Sequence, residues 1–424
     1  MTLSSDHTPA SACPAAPTHP GVVTVDLDAI AHNFRTLAKL APTCQHMAVV
    51  KANAYGHGLI PVARAALAAG AHWLGVAQLS EALELRAGLD QVGIARDTAP
   101  ILTWISGPDT DWTCALEADL DLSVGTTTTL AEITAAARDS GKVARLHLKV
   151  DTGMSRAGAT LADLPALVSA LRMSIESGLV DLVGVWSHIS RGDDPSEAGL
   201  ASTQDHCAAF EQALRICDEG GVHPQIRHLG ATSAILFHPE AHYDMVRAGI
   251  GLYGLEPDAT YPSEAPLRPA LRVEAPLTSV KVIEQDTPVS YGGTWRSPSR
   301  RWVGLVPVGY ADGIDRSASN GGPALVYTDD GPRPTRIIGR VCMDQIMIDL
   351  GEAAGETDLP SARTPHPPAR VGDRVVLIGD PARGEPSADD WARACSTINY
   401  EIVTRLGPRL TRTYSPALDE DHLC

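Results

Sequence analysis

The chain has 424 residues, with 34 basic and 51 acidic side chains and a formal net charge of −17. At roughly 100–200 residues per domain this length predicts two domains, and an apolar content of 44% is enough for sizeable cores. The acidic balance argues against nucleic acid or an anionic membrane as partner, because either needs a basic face.

No apolar run approaches the roughly 20 residues of a membrane helix. No positive charge followed by an apolar stretch opens the chain as a secretory signal would. A soluble, cytoplasmic protein is the expectation. The eight cysteines are scattered without a CxxC pair, so free thiols are expected rather than a disulfide scaffold or a metal site. Only five of the basic residues are lysines: Lys39, Lys51, Lys142, Lys149 and Lys281. Where arginine carries most of the positive charge, each lysine raises the question of amine chemistry, above all imine formation.

Residues 1–20, rich in Ser, Thr, Pro and Ala, read as a disordered leader. Over 21–257, eight β-type runs alternate with helix-like stretches: Met47–Lys51, Trp73–Ala77, Ile101–Ile105, Leu120–Val124, Leu146–Val150, Leu182–Trp186, Ile226–Leu229 and Met245–Ile250. Their number and spacing predict a (β/α)8 barrel. An open doubly wound sheet would also alternate, but no G-x-G-x-x-G follows a strand. Over 258–424 the texture changes to short β runs joined by Gly-, Pro- and Asp-rich turns. That predicts a mainly β C-terminal domain, with an exposed loop at 351–370 and a helical stretch around Asp390–Leu406.

Three clusters fall at strand ends that form the catalytic face of a barrel. In Val49-Val50-Lys51-Ala52-Asn53-Ala54-Tyr55-Gly56-His57-Gly58 a lysine ends an apolar strand before a glycine-bracketed loop. In Lys149-Val150-Asp151-Thr152-Gly153-Met154-Ser155-Arg156 a second lysine lies inside a strand, where charge is expensive unless paired. In Arg247-Ala248-Gly249-Ile250-Gly251 an arginine precedes a glycine-rich turn of the kind that cradles phosphate near strands seven and eight. Each taken alone also fits an ordinary strand end. An amine and a phosphate cradle on one face together point to pyridoxal phosphate. His188 and His228 end strands six and seven, where a satisfied structural histidine is the commoner case. Tyr291, between Ser290 and Gly292, is either an acid–base group or a packed tyrosine.

From about Val22 to Tyr414 the chain resembles the alanine racemases, through VVKANAYGHG, KVDTGMSRAG, DMVRAGIGLYGL, VSYGGTW, PVGYADG, GRVCMDQ and TINYEIVTRL. The resemblance implies a pyridoxal-phosphate enzyme that interconverts L- and D-alanine and so supplies D-alanine for peptidoglycan. It implies that Lys51 holds the cofactor covalently, and that Tyr55, Thr232, Gly249, Ile250 and Tyr400 surround its phosphate. Arg247 would face the pyridine nitrogen, supported by His228, with His188 beside the cofactor. Arg156 and the backbone at Met343 would hold the substrate carboxylate, Tyr310 would stand at the entrance, and Lys149 would be open to carbamylation. Tyr291 would be the second base, lent by the other subunit of a homodimer. One departure is Ala231-Thr232 where the family usually has Asn-Ser. Another is the loop Ile189-Ser190-Arg191-Gly192-Asp193-Asp194. The rivals are a broader amino-acid racemase, a barrel-type decarboxylase and a non-catalytic cofactor carrier; a single-barrel carrier would leave the domain after Pro257 unexplained.

Overall fold

The computed structural model describes residues 19–353 and 367–416. Most of the expected leader and of the expected loop at 351–370 therefore lies outside the described residues. The first strand, β1 (Val22–Asp26), feeds the helix Leu27–Leu40, whose start is fixed by Asp26 accepting the Ala29 N–H at 2.9 Å. That helix buries Ile30, Phe34 and Leu37, each contributing roughly 1.5–3 kcal/mol by leaving water.

Eight parallel strands follow: β2 (Gln45–Val49), β3 (Trp73–Gln78), β4 (Ile101–Ile105), β5 (Asp121–Val124), β6 (Ala144–Lys149), β7 (Val180–Trp186), β8 (Ile226–His228) and β9 (Met245–Ala248). They pair in the order β8-β7-β6-β5-β4-β3-β2-β9. The ring closes between β8 and β9 through a bridge from Ala231 to Arg247 and an Arg247 N–H to Gly230 carbonyl bond of 3.1 Å. All eight expected strands are present, with helices between most of them, so the barrel is confirmed. Their near-continuous burial explains why they read as plain apolar runs.

The second sheet is built from β10 (Leu271–Pro276), β11 (Ser279–Ile283), β14 (Arg301–Val306), β15 (Pro323–Thr328), β16 (Gly331–Ile338), β17 (Ile346–Glu352), β18 (Arg374–Ile378) and β19 (Thr411–Ser415), with β1 between β10 and β19. A short ribbon, β12 (Pro288–Val289) and β13 (Trp295–Arg296), stands apart from it. The segment expected as barrel thus opens with a strand of the other sheet, paired antiparallel to β10 and parallel to β19. The sequence also hides β16, because Pro332 and Pro334 argue against a central strand. The prolines are accommodated because β16 pairs with β15 along its length but with β17 only at Ile337 and Ile338. The helical stretch expected over Asp390–Leu406 is two helices, Ala388–Cys395 and Asn399–Thr404, split at left-handed Ser396. Among the described residues no helix is long and apolar enough to cross a membrane.

The two domains meet at the loop after β2. A Cβ on Gly56 would strike the Val403 carbonyl, and one on Gly58 would strike the Tyr414 hydroxyl. Arg412 donates to the Gly56 carbonyl at 2.9 Å. The β domain therefore packs directly on the lysine-bearing turn.

Candidate active site

Lys51 follows β2 at the C-terminal face of the barrel. After it the backbone does something the sequence does not announce: Ala52, Asn53, Ala54 and Tyr55 all have φ between 51° and 53°. A run of non-glycine residues in this left-handed region costs about 1–2 kcal/mol per residue, and such strain persists only where neighbours over-determine it. Here they do. Glu81 accepts the Ala52 N–H at 2.6 Å, Asn53 Oδ1 accepts the Leu59 N–H at 2.8 Å, and His57 Nδ1 lies 3.1 and 2.9 Å from the Ala54 and Tyr55 carbonyls. The turn places Lys51 Nζ 5.8 Å from the centre of the Tyr55 ring. Tyr55 in turn packs 4.7 Å from Tyr253 and 6.3 Å from Tyr400.

Charge on this face is lopsided. Arg156 lowers the protonation of Lys51, and Arg247, Arg156 and Lys51 lower that of Lys149. Burial lowers the Lys51 amine, Arg156 lowers it further and Glu81 opposes. Lys149 is 7% exposed, sits 4.0 Å over the Trp186 ring and is pulled down to about 8, by burial first and then by Arg247 and Arg156. Arg156 is exposed and has no ion-pair or hydrogen-bond partner among the described residues. The nearby carboxylates are already engaged: Glu81 caps backbone amides, and Asp151 Oδ1 accepts the Gly153 and Ser155 N–H groups at 3.0 Å each. A cluster of cations, two of them buried, with the nearby acids occupied is a site for anions.

The cradle adjoins the Lys51 turn, at the end of β9, which pairs with β2. Thr232 Oγ1 accepts the Gly249 N–H at 2.9 Å and the Gly251 N–H at 3.4 Å, which leaves its own O–H free to donate. The Tyr55 hydroxyl has no hydrogen-bond partner among the described residues although Tyr55 is only 6% exposed. A Cβ on Gly249 would come within 3.1 Å of that hydroxyl and 3.7 Å of Thr232 Oγ1. Unspent donors above a glycine floor fit a phosphate monoester. Burial holds the Tyr55 and Tyr400 phenols well above their ordinary pKa, so both stay protonated as donors.

Arg247 anchors a polar chain that crosses the barrel interior. Its guanidinium reaches the Ser187 and Leu229 carbonyls at 2.8 and 2.9 Å, His188 Nδ1 at 3.2 Å and His228 Nδ1 at 3.2 Å. Burial brings it down to about 9, so it is still charged at neutral pH. Because arginine can only donate, both Nδ1 atoms must accept and both histidines carry their proton on Nε2. His228 Nε2 then donates to His147 Nδ1 at 2.9 Å, and His147 Nε2 donates to Asp121 Oδ2 at 3.1 Å. Arg145 closes the chain on both Asp121 oxygens. Burial alone would raise Asp121, but the bonds from His147 and Arg145 outweigh it and hold the carboxyl below its usual range. His147 and Asp121 were not picked out by sequence reasoning. The available signal was polar residues on a barrel strand, His147 and Lys149 at alternate positions of β6, facing one interior.

The neutral histidines have a consequence for acid stability. His57 is lowered to about 4, by burial first, against opposing bonds from the Tyr55 and Ala54 carbonyls. His188 and His228 lie well below 6.5, through burial and then neighbouring charges. Unfolded, each takes a proton near pH 6.5. Their neutral burial therefore costs nothing above that pH, and stability is lost as pH falls from 6.5 toward the folded values. Urea midpoints are expected to drop steadily between pH 7 and pH 5, less steeply in His57→Gln. A midpoint flat over that range would contradict it.

Tyr291, Tyr310 and Met343 form a separate, exposed group, at 71%, 43% and 52%. Tyr291 and Met343 rim a hollow of about 630 Å³ lined also by Ser290, Gly292 and Cys342 among others. Ser290, itself at φ 61°, donates to the Arg340 carbonyl at 2.6 Å, and the Tyr310 and Ala311 N–H groups bind the Cys342 and Met343 carbonyls. Among the described residues no hydrogen bond, ion pair or ring contact joins this group to the barrel cluster, and the Met343 N–H has no acceptor.

Such a pairing of a strained lysine turn with an anion cradle, on a barrel capped by a β domain, is the architecture of a two-domain barrel enzyme. The alanine racemase N-terminal domain family matches residues 25–257, and the alanine racemase C-terminal domain family matches 270–414. The chain belongs to the alanine racemase family. It is 48% identical to an alanine racemase of Beutenbergia cavernae, over 94% of this chain and 98% of the relative, and 43% identical to one of Thermobifida fusca, over 93% and 98%. Among solved structures it resembles alanine racemase from the D-cycloserine producer Streptomyces lavendulae, at 42% identity and a TM-score of 0.86 over 96% of this chain and 99% of that one. It also resembles the Bacillus anthracis enzyme solved with bound L-Ala-P, at 32% identity and a TM-score of 0.80 over 94% and 96%.

Proposed function

We propose that this chain inverts alanine at Cα with pyridoxal phosphate held at Lys51, and that two bases from two copies of the chain flank the reacting carbon. The observation that carries this reading is the separation just described: an anion-binding barrel face on one side, and on the other an exposed Tyr291 whose side chain has no partner among the described residues. The cofactor, when bound, supplies an aldehyde that condenses with amines and a ring that draws electrons from Cα.

Tyr55, Thr232 and the amide of Ile250 would hold the phosphate over the Gly249 floor, with Tyr400 beside them. Arg247 would meet the ring nitrogen with Nε, which has no partner among the described residues, while its other nitrogens are tied to His188, His228 and two carbonyls. A guanidinium does not give up its proton here, so that nitrogen stays unprotonated, electron withdrawal is limited and side reactions such as transamination are disfavoured. The arrangement His228–His147–Asp121 fixes the guanidinium in place. Arg156 and the Met343 N–H would receive the substrate carboxylate. A neutral Lys149 amine can add carbon dioxide, losing a proton to give an N-carboxylate whose charge would offset Arg156 and the neighbouring cations.

Inversion requires one proton to leave Cα from one face and another to arrive on the opposite face. The Lys51 amine would serve one face and the Tyr291 phenol of a second subunit the other. The expected assembly is a homodimer with shared sites in the cytoplasm, supplying D-alanine for peptidoglycan. Serine as a second substrate is tested by an assay across amino acids. Thr232→Val removes the hydroxyl and strands two amides, and is expected to weaken cofactor retention by about tenfold to a hundredfold with little change in fold. Dialysis followed by visible absorbance measures it; undiminished retention would remove Thr232 from the cradle.

A further inference from the structure

Behind the cradle, a cleft of about 210 Å³ opens between the barrel and the β domain, lined by His57, Tyr253, Glu256, Ser387, Asp389 and Val403 among others. His57, which lines the cleft, is fully buried, and its Nδ1 faces two carbonyls, so the proton sits there and Nε2 is a bare acceptor without a partner. Glu256 Oε1 takes the Ser263 hydroxyl at 2.9 Å, whereas its buried Oε2 has no partner. Asn399, 4% exposed, donates to the Glu256 carbonyl at 3.0 Å and to Asp389 Oδ1 at 2.8 Å, which leaves its Oδ1 unmet.

The unmet atoms of the lining residues, His57 Nε2 and Glu256 Oε2, are therefore both acceptors, with a third, Oδ1, on their neighbour Asn399, which does not itself line the cleft. Among the described residues neither Glu256 nor Asp389 has an ion-pair partner; Arg393 is committed to Asp390, and Arg412 to the carbonyls of Gly56, Leu406 and Gly407. Buried acceptors left unpaired are costly; any donor would satisfy them, and the two carboxylates without an ion-pair partner favour one that carries positive charge. No group of three His, Cys, Asp or Glu among the described residues is arranged to hold a metal ion. The remaining walls, Leu255, Leu267, Leu271 and Ile378, suit a short hydrocarbon.

We propose that this cleft is a second binding site, distinct from the catalytic face, that takes a small alkylammonium ion, its N–H groups directed to Glu256, Asp389 and His57. An amino acid such as alanine is disfavoured because its carboxylate would meet the same acidic groups. The occupant would lie against Tyr253, whose ring packs 4.5 Å from His57 and 4.7 Å from Tyr55.

Saturation-transfer NMR of ethylammonium with the holoenzyme, at saturating alanine so that the catalytic amine site is filled, tests this. Expected is a saturable signal that persists with alanine, is absent for tetraethylammonium, and weakens at least about tenfold in affinity in Glu256→Gln and in Asp389→Asn. Circular dichroism confirms that each variant is folded, and the half-buried Asp389 keeps the test open if Glu256→Gln is not. A signal abolished by alanine would assign the amine to the catalytic face and overturn the proposal. So would equal affinity in both variants, or no signal, which would leave the cleft to water.

Discussion

Tyr291→Phe is expected to lower alanine racemisation by at least about a thousandfold, the size of effect a positioned acid–base group supplies. The loss must be equal in both directions, because L- and D-alanine have the same free energy and kcat/KM cannot change for one without the other. What separates the faces is hydrogen exchange. The Lys51 amine still addresses its own side of Cα, so one enantiomer should keep exchanging its Cα hydrogen with deuterated solvent while the other stops. Tyr291 is 71% exposed in the single chain, so the substitution should leave the fold and the bound cofactor unchanged. If cofactor and exchange of both enantiomers vanish together, the phenol has a packing role instead.

Lys51→Ala should be more severe still, at least about ten-thousandfold, because it removes both the attachment point and one of the two bases. The variant should fold, since Lys51 is only partly buried and its burial already disfavours the charged form. Borohydride treatment of the native holoenzyme gives a sharper result. Two lysines of lowered pKa share this face, and the label is expected on the peptide carrying Lys51 alone. Label on the Lys149 peptide, or substantial activity in Lys51→Ala, would move the reacting amine to β6.

Much of this was legible before any coordinates. The barrel strands announced themselves because both faces are buried, which turns Ile101–Ile105 or Met245–Ala248 into short apolar runs. Lys51 and Arg247 stood out as charges beside glycine at the ends of such runs. The left-handed turn Ala52–Tyr55 was not legible: only Asn53 there is a type that favours positive φ, and the conformation is held by the adjacent His57 together with Glu81 and the β domain, which are distant in sequence. The membership of Val22–Asp26 in the second sheet was hidden for the same reason, since its partners lie some 250 and 390 residues away. His147 and Asp121 were passed over because a single polar residue inside a strand looks structural until its neighbours across the barrel are known. The roles of Tyr291 and Met343 came through family resemblance, because the atoms they would face belong to another copy of the chain.

Subunit hybrids address that last point directly. Lys51→Ala and Tyr291→Phe proteins, each nearly inactive alone, are mixed in equal amounts, allowed to exchange subunits and assayed for racemisation. If each site takes its lysine from one chain and its tyrosine from the other, half the dimers are hybrids with one intact site of two, and activity should return to about a quarter of the native level. If mixing restores nothing although exchange is complete, both groups serve within one chain or Tyr291 does not act on Cα, and the shared two-base site is wrong.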